Sequence, residues 1–185
     1  MPLPIFGPRE IAEDSKDTIY HTIPTFKFID QKGDSVSNKD FLGNVTVVDY
    51  FFTSCEGICP KLSYQLQRVQ NAEKFRKDFR ILSHTVNPEK DSVSVLAAYA
   101  KQFGANDSIW HLVTGDKQQL YDVARNGYYL VADKGDGGPQ DFIHSEKFVL
   151  IDKQGRIRGY YDGTSEAQVD TLITEIYVLY KEYQK

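Results

Sequence analysis

The amino-acid sequence predicts an α/β sandwich in which a mixed central sheet is flanked by helices, and three observations predict it. The run Val45 to Phe52 is dense in β-branched and aromatic residues and too continuous for a half-exposed strand, so it reads as a central one. Segments with strand and helix character then alternate three times before a hairpin and a last helix. Composition agrees: 185 residues, 41% hydrophobic and 26% charged, suit one domain with a sizeable core.

Residues 1–23 are proline-rich at the start, lack apolar periodicity, and read as an arm; the domain is expected over 24–185. Thr25 to Ile29 alternates like a short strand, closed by the turn Gln31-Lys32-Gly33-Asp34. After the central strand, Leu62, Leu66 and Val69 recur at helical spacing with Pro60 placed in a first turn, which predicts a helix from Cys59 to Phe75. Phe79 to Val86 is a further strand. Val93, Leu96, Ala97 and Ala100 mark a second helix between Asp91-Ser92 and Gly104. Trp110 to Val113 is a short strand and Asp116 to Arg125 a third helix. Asp133 to Gln140 is the one long loop. Phe148 to Ile151 and Ile157 to Tyr161 flank Asp152-Lys153-Gln154-Gly155, a hairpin signature. The chain closes on a helix that puts Val169, Leu172, Ile173, Ile176 and Tyr180 on one face. There is no internal repeat and no second domain.

With 22 Lys and Arg against 26 Asp and Glu the net charge is −4, and no basic run stands out, so nucleic acid and anionic membrane surfaces are poor partners. No stretch approaches the roughly 18 apolar residues of a membrane span. Met1 to Glu10 has neither the basic start nor the apolar core of a signal peptide, so the chain as written reads as soluble; removal of an earlier anchor or export signal stays open.

The chemistry concentrates in Phe51-Phe52-Thr53-Ser54-Cys55-Glu56-Gly57-Ile58-Cys59-Pro60-Lys61, which holds both of the chain's cysteines. Two cysteines cannot build a disulfide framework, but they can build one site. They fall where the central strand gives way to its helix, the edge at which open α/β sheets place their sites. In a helical segment their spacing puts both sulfurs on one face, able to close a disulfide or hold one metal ion. A helix N-terminus there is expected to favour the thiolate. The alternative is a pair of ordinary buried cysteines. A metal needs further ligands. Of the four histidines, His21 lies in the arm, and His84 and His111 read as structural residues of strands. His144 follows the glycine-rich loop in Asp141-Phe142-Ile143-His144-Ser145 and is the candidate third ligand. Two thiolates and one imidazole suit Cu(I), and with a weak further ligand Cu(II).

Together with Ile81-Leu82-Ser83-His84-Thr85-Val86-Asn87-Pro88, Asp91, Trp110, Thr114-Gly115 and Phe142-Ile143-His144-Ser145, this window resembles the Sco/SenC family from about Thr25 onward. The resemblance implies a thioredoxin-like fold and a copper-binding metallochaperone, membrane-anchored and facing the periplasm or mitochondrial intermembrane space. Such a protein helps assemble the binuclear copper centre of cytochrome c oxidase, so the implied partner is that copper-centre subunit or another copper or thiol protein. It also implies Cys55, Cys59 and His144 as the copper ligands, with Cys55 and Cys59 cycling between dithiol and disulfide. Two departures stand out. Asn87 occupies a position where the family usually has Asp, and Glu56-Gly57 replaces a pair that more often includes Pro. Glu56 is expected to oppose thiolate formation and to favour a bound cation.

Two enzymatic readings compete with copper delivery. A thiol-disulfide oxidoreductase uses the same thiols without strictly needing His144. A thiol peroxidase needs a cation near the attacking sulfur, for which Lys61 is nearest in sequence. Asp49 interrupts an otherwise buried strand; it is expected at the strand's rim or toward solvent, the alternative being a proton acceptor near the thiols.

Overall fold

The computed structural model describes residues 2–131, 135 and 141–184. Seven strands form the main sheet in the order β4-β3-β7-β6-β5-β8-β9. They are β3 (Lys27–Asp30), β4 (Ser35–Ser37), β5 (Val45–Phe51), β6 (Phe79–Thr85), β7 (Trp110–Thr114), β8 (Lys147–Ile151) and β9 (Ile157–Asp162). The central strands β5, β6 and β7 run parallel, while β3, β4, β8 and β9 pair antiparallel, so the sheet is mixed, as its sequence pattern predicts.

Strand β5 is central because all seven of its residues are buried. Its alternate side chains serve two cores. Val45, Val47 and Phe51 face α2 (Ile58–Glu73), α3 (Val93–Gln102) and α5 (Glu166–Glu182), where Leu62, Leu66, Leu96, Leu172 and Ile176 pack. Val48 and Tyr50 face the opposite layer, covered by α4 (Lys117–Asp122) and the π-helical turn Val123–Gly127 that continues it. Each of these large apolar side chains, fully buried, contributes about 1.5–3 kcal/mol relative to exposure. Ser92, Asp116 and Ser165 cap their helices by accepting backbone N–H groups of Val95, Gln119 and Gln168. The hairpin turn uses Gly155 at φ 78°, a conformation that disfavours a side chain.

Several elements differ from the sequence reading. The arm holds a two-stranded sheet of its own, β1 (Arg9–Ile11) with β2 (Thr18–Tyr20), and Phe6 bridges to Ile157 of β9. Strand β4 and the one-turn helix α1 (Asn38–Phe41) follow the Gln31 turn. Helix α2 stops at Glu73 rather than Phe75, which is 89% exposed and belongs to no apolar face. The loop Asp133 to Gln140 lies outside the described residues except for Gly135.

Candidate functional site

Strand β5 delivers the chain to the sheet's edge at Phe51, and residues 52–57 turn it into α2. The helix begins without a side-chain cap, since Gly57 stands at the N-cap position. Its first N–H groups are therefore available, and Cys55 Sγ accepts the N–H of Cys59 at 3.4 Å. Cys55 thus precedes the helix instead of lying on its face, while Cys59 is within its first turn. Both thiols are free.

The two are unequal. Partial burial of Cys55 works against ionisation, but hydrogen bonds from the Cys59 thiol and from the N–H groups of Cys59, Gly57 and Ile58 outweigh it and hold its pKa below the ordinary thiol value. Cys59 is only 4% exposed, and burial together with the hydrogen bond to Cys55 pushes its thiol up to about 12. The helix N-terminus therefore acidifies Cys55 and not both cysteines, because Cys59 loses more by desolvation than it gains. Glu56 is exposed and does not prevent the acidification of its neighbour.

A buried carboxylate fixes the turn. Asp91, 1% exposed, accepts the Thr53 N–H at 3.2 Å and the hydroxyls of Thr53 and Thr85. Asn87 contributes through its backbone, its N–H donating to Thr85 Oγ1 at 2.9 Å. The sequence shows Asp91 but not its task, since Thr53 lies 38 positions away.

His144 is exposed and lies between buried Ile143 and the start of β8. With Tyr50, Phe52, Ile58, Cys59 and Ile143 it lines a pocket of about 100 Å³. The fold thus brings together Cys55 with Cys59, and His144 with Cys59 around one pocket. Among the described residues no three His, Cys, Asp or Glu side chains are gathered into a metal-binding group. The donors nevertheless fit copper in kind: two soft sulfurs, free as thiols, and one exposed imidazole. His84 is fully buried in an aromatic cage and His111 bonds Asp30 at 3.1 Å, both structural as expected; His21 Nε2 bonds the Gly127 carbonyl at 2.8 Å.

Asp49 departs from expectation. It is neither at the rim nor in solvent: it is 2% exposed, on the β5 face that packs against α2, and accepts from Ser83 Oγ, which in turn accepts from Trp110 Nε1 at 2.9 Å. Burial raises its pKa to about 7, against the Ser83 hydrogen bond that lowers it.

A helix-flanked mixed sheet with an acidified cysteine at the edge, a second buried one four residues on, and a histidine across the pocket defines a thioredoxin-like thiol protein. The SCO1/SenC family model matches residues 14–179, and the chain belongs to that family. A relative described as a SCO1 protein homolog from Bacillus subtilis is 29% identical over 167 residues, covering 89% of this chain and 86% of that one. The crystal structure of a SCO1/SenC family lipoprotein from Bacillus anthracis superposes with a TM-score of 0.75 at 28% identity, covering 86% of this chain and 95% of that one. BsSco, described as having a disulfide switch and as a member of the Sco family of cytochrome c oxidase assembly proteins, gives 0.72 at 28% identity, over 85% and 92% of the two chains. Yeast Sco1 solved with copper bound shares the fold at 23% identity, with a TM-score of 0.65 over 85% and 89%. No helix among the described residues is long and apolar enough to cross a membrane.

Proposed function

We propose that this protein binds copper through Cys55, Cys59 and His144 and passes it by ligand exchange to a copper-centre protein during cytochrome c oxidase assembly. The observation that carries the reading is the placement of an exposed imidazole on the pocket lined by Cys59, whose N–H bonds the Cys55 sulfur. Cys55 is the accessible sulfur through which exchange starts, and Cys59 the shielded one that retains the metal longest. The protein is placed on the extracytoplasmic side of a membrane and held there by an anchor, in line with the relative described as a lipoprotein; fractionation of cells producing the natural protein tests this.

The unequal thiols also favour a second reading, a thiol-disulfide oxidoreductase. In it the Cys55 thiolate attacks a partner disulfide and expels one partner thiolate; Cys59, losing its proton, then attacks Cys55 and releases the second, leaving a Cys55–Cys59 disulfide and a reduced partner. His144 separates the two readings. His144→Ala is expected to weaken Cu(I) binding by more than about 100-fold, beyond the 10- to 100-fold that losing a partner of a ligand costs, and to leave the Cys55–Cys59 reduction potential unchanged. Copper affinity equal to wild type removes His144 from the site, and absence of tight copper binding in the parent protein moves the function to the oxidoreductase.

A further inference from the structure

The geometry points to the Arg125–Asp141 ion pair as the device that positions His144, an inference that rests on the reading of His144 as a copper ligand. Arg125 stands in the π-helical turn Val123–Gly127. Such turns are rare and often occur at functional places, because the extra residue re-aims side chains on an otherwise regular helix. Here the guanidinium reaches Asp141 through two parallel bonds, Nη2 to Oδ1 at 2.8 Å and Nη1 to Oδ2 at 3.2 Å. The two side chains are 11% and 6% exposed, so the pair is sheltered from solvent and its geometry is fixed on both sides.

The next two residues are held by the same helix. Lys117 Nζ lies over the Phe142 ring at 4.8 Å, and Ile143 is 4% exposed in the core that includes Tyr121 and Val86. Tyr121 is itself fixed, its hydroxyl donating to the Val86 carbonyl at 2.6 Å. On the other side of His144, Lys147 enters β8 and its N–H donates to Ser145 Oγ at 3.2 Å. Gly135 packs against the pair so closely that a side chain there would run into the Arg125 guanidinium and the Asp141 carboxylate.

His144 is therefore an exposed residue of a short segment anchored before and after it. A tether fixed at both ends keeps the imidazole beside the Cys59 pocket, so that capturing a metal does not require ordering a free loop. Ordering a loop costs backbone conformational entropy, which is what such anchoring avoids at the moment of binding. Arg125 and Asp141 do not touch the thiols; they are positioning residues.

The test uses Asp141→Asn, with Asp141→Glu as the conservative rescue, in the whole protein. Amide hydrogen exchange of the metal-free protein is expected to accelerate at 142–146 in Asp141→Asn and not in β5. Cu(I) affinity, measured by competition with a chromogenic chelator, is expected to fall about 10- to 100-fold, the range for residues that orient a ligand. The Cys55–Cys59 reduction potential is expected to stay at the wild-type value, and Asp141→Glu to recover most of the copper affinity. A pair with only a structural role would lower thermal stability while leaving exchange at 142–146 and copper affinity at wild-type values, and that result overturns the proposal. Should the parent protein bind no copper, the ligand reading falls, and exchange at 142–146 still decides whether the pair holds His144 in place.

Discussion

The backbone carbonyl of Asp49 accepts a hydrogen bond from His84 Nδ1 at 3.3 Å, joining the two titratable groups at the centre of the sheet. A carbonyl only accepts, so the proton is on Nδ1, and Nε2 is left to accept from the Tyr128 hydroxyl at 3.4 Å. The side chains occupy opposite faces: Asp49 meets Ser83 beneath α2, and His84 stacks on Tyr50 at 4.6 Å between ring centroids. Burial favours the neutral form of both, pushing Asp49 up to about 7 and His84 down to about 3.

These shifts have opposite consequences for stability. Asp49 holds its proton in the folded state, so its contribution is full below the unfolded value of 3.8 and is lost as pH rises through about 7. His84 excludes a proton in the folded state, so its contribution is full above the unfolded value of 6.5 and is lost as pH falls from there toward about 3. Where the two windows overlap, one group loses about 1.4 kcal/mol per pH unit while the other gains as much. Wild-type stability is expected to be nearly flat from pH 4 to 6.5. Asp49→Asn should uncover a rise with pH over that range, and His84→Phe a fall. Urea midpoints at four pH values check this, and variants whose profiles run parallel to wild type would show that neither proton is held as described.

Asp91 anchors the turn ahead of Cys55 by accepting three hydrogen bonds, one backbone and two hydroxyl. Hydrogen bonds contribute about 0.5–1.5 kcal/mol each and a buried donor left unpaired costs about 1–3 kcal/mol, and losing this one group leaves the Thr53 N–H and the buried Thr85 hydroxyl without their acceptor. Asp91→Ala is therefore expected to destabilise the protein by on the order of 3 kcal/mol in chemical denaturation. Asn87→Asp, in contrast, should change stability by less than about 1 kcal/mol, because the position contributes mainly through its N–H to Thr85. A large effect at Asn87 would place its side chain, and not its backbone, in the turn.

Much of this was legible in the amino-acid sequence where a pattern repeats. Val45 to Phe51 announces a central strand because burial on both faces removes alternation, and the two cysteines announce a site because there are no others. Periodicity misled at Phe75, whose ring is exposed beyond the last turn of α2. Strand β4 offers three residues with only Val36 buried, too few for a period. The polar contacts that build the site carry no period at all. Thr53 and Asp91 are 38 positions apart, Asp49 and Ser83 are 34, and Arg125 and Asp141 are 16. Each pairing is set by how strands and helices stack, and nothing local to either residue marks it. Asp49 was misplaced for the same reason: a lone carboxylate reads as solvent-facing until the donor that keeps it inside is known.

The asymmetry of the thiols makes the last prediction. Attack on an alkylating agent is carried out by the thiolate, so its rate follows the ionised fraction and the access of each sulfur. Cys55 is partly exposed and held below the ordinary thiol value, whereas Cys59 is buried and pushed to about 12. In the reduced protein near neutral pH, iodoacetamide is expected to label Cys55 first and Cys59 at least tenfold more slowly, as read by peptide mass spectrometry. Cys59→Ser should retain a reactive Cys55, since the N–H groups of Gly57 and Ile58 still face that sulfur and a serine hydroxyl can donate where the thiol did. Cys55→Ser should leave Cys59 nearly inert until the protein is unfolded. Equal labelling of both cysteines in the folded wild type would mean that the helix N-terminus does not distinguish them, and would remove the basis for assigning Cys55 the role of entry sulfur.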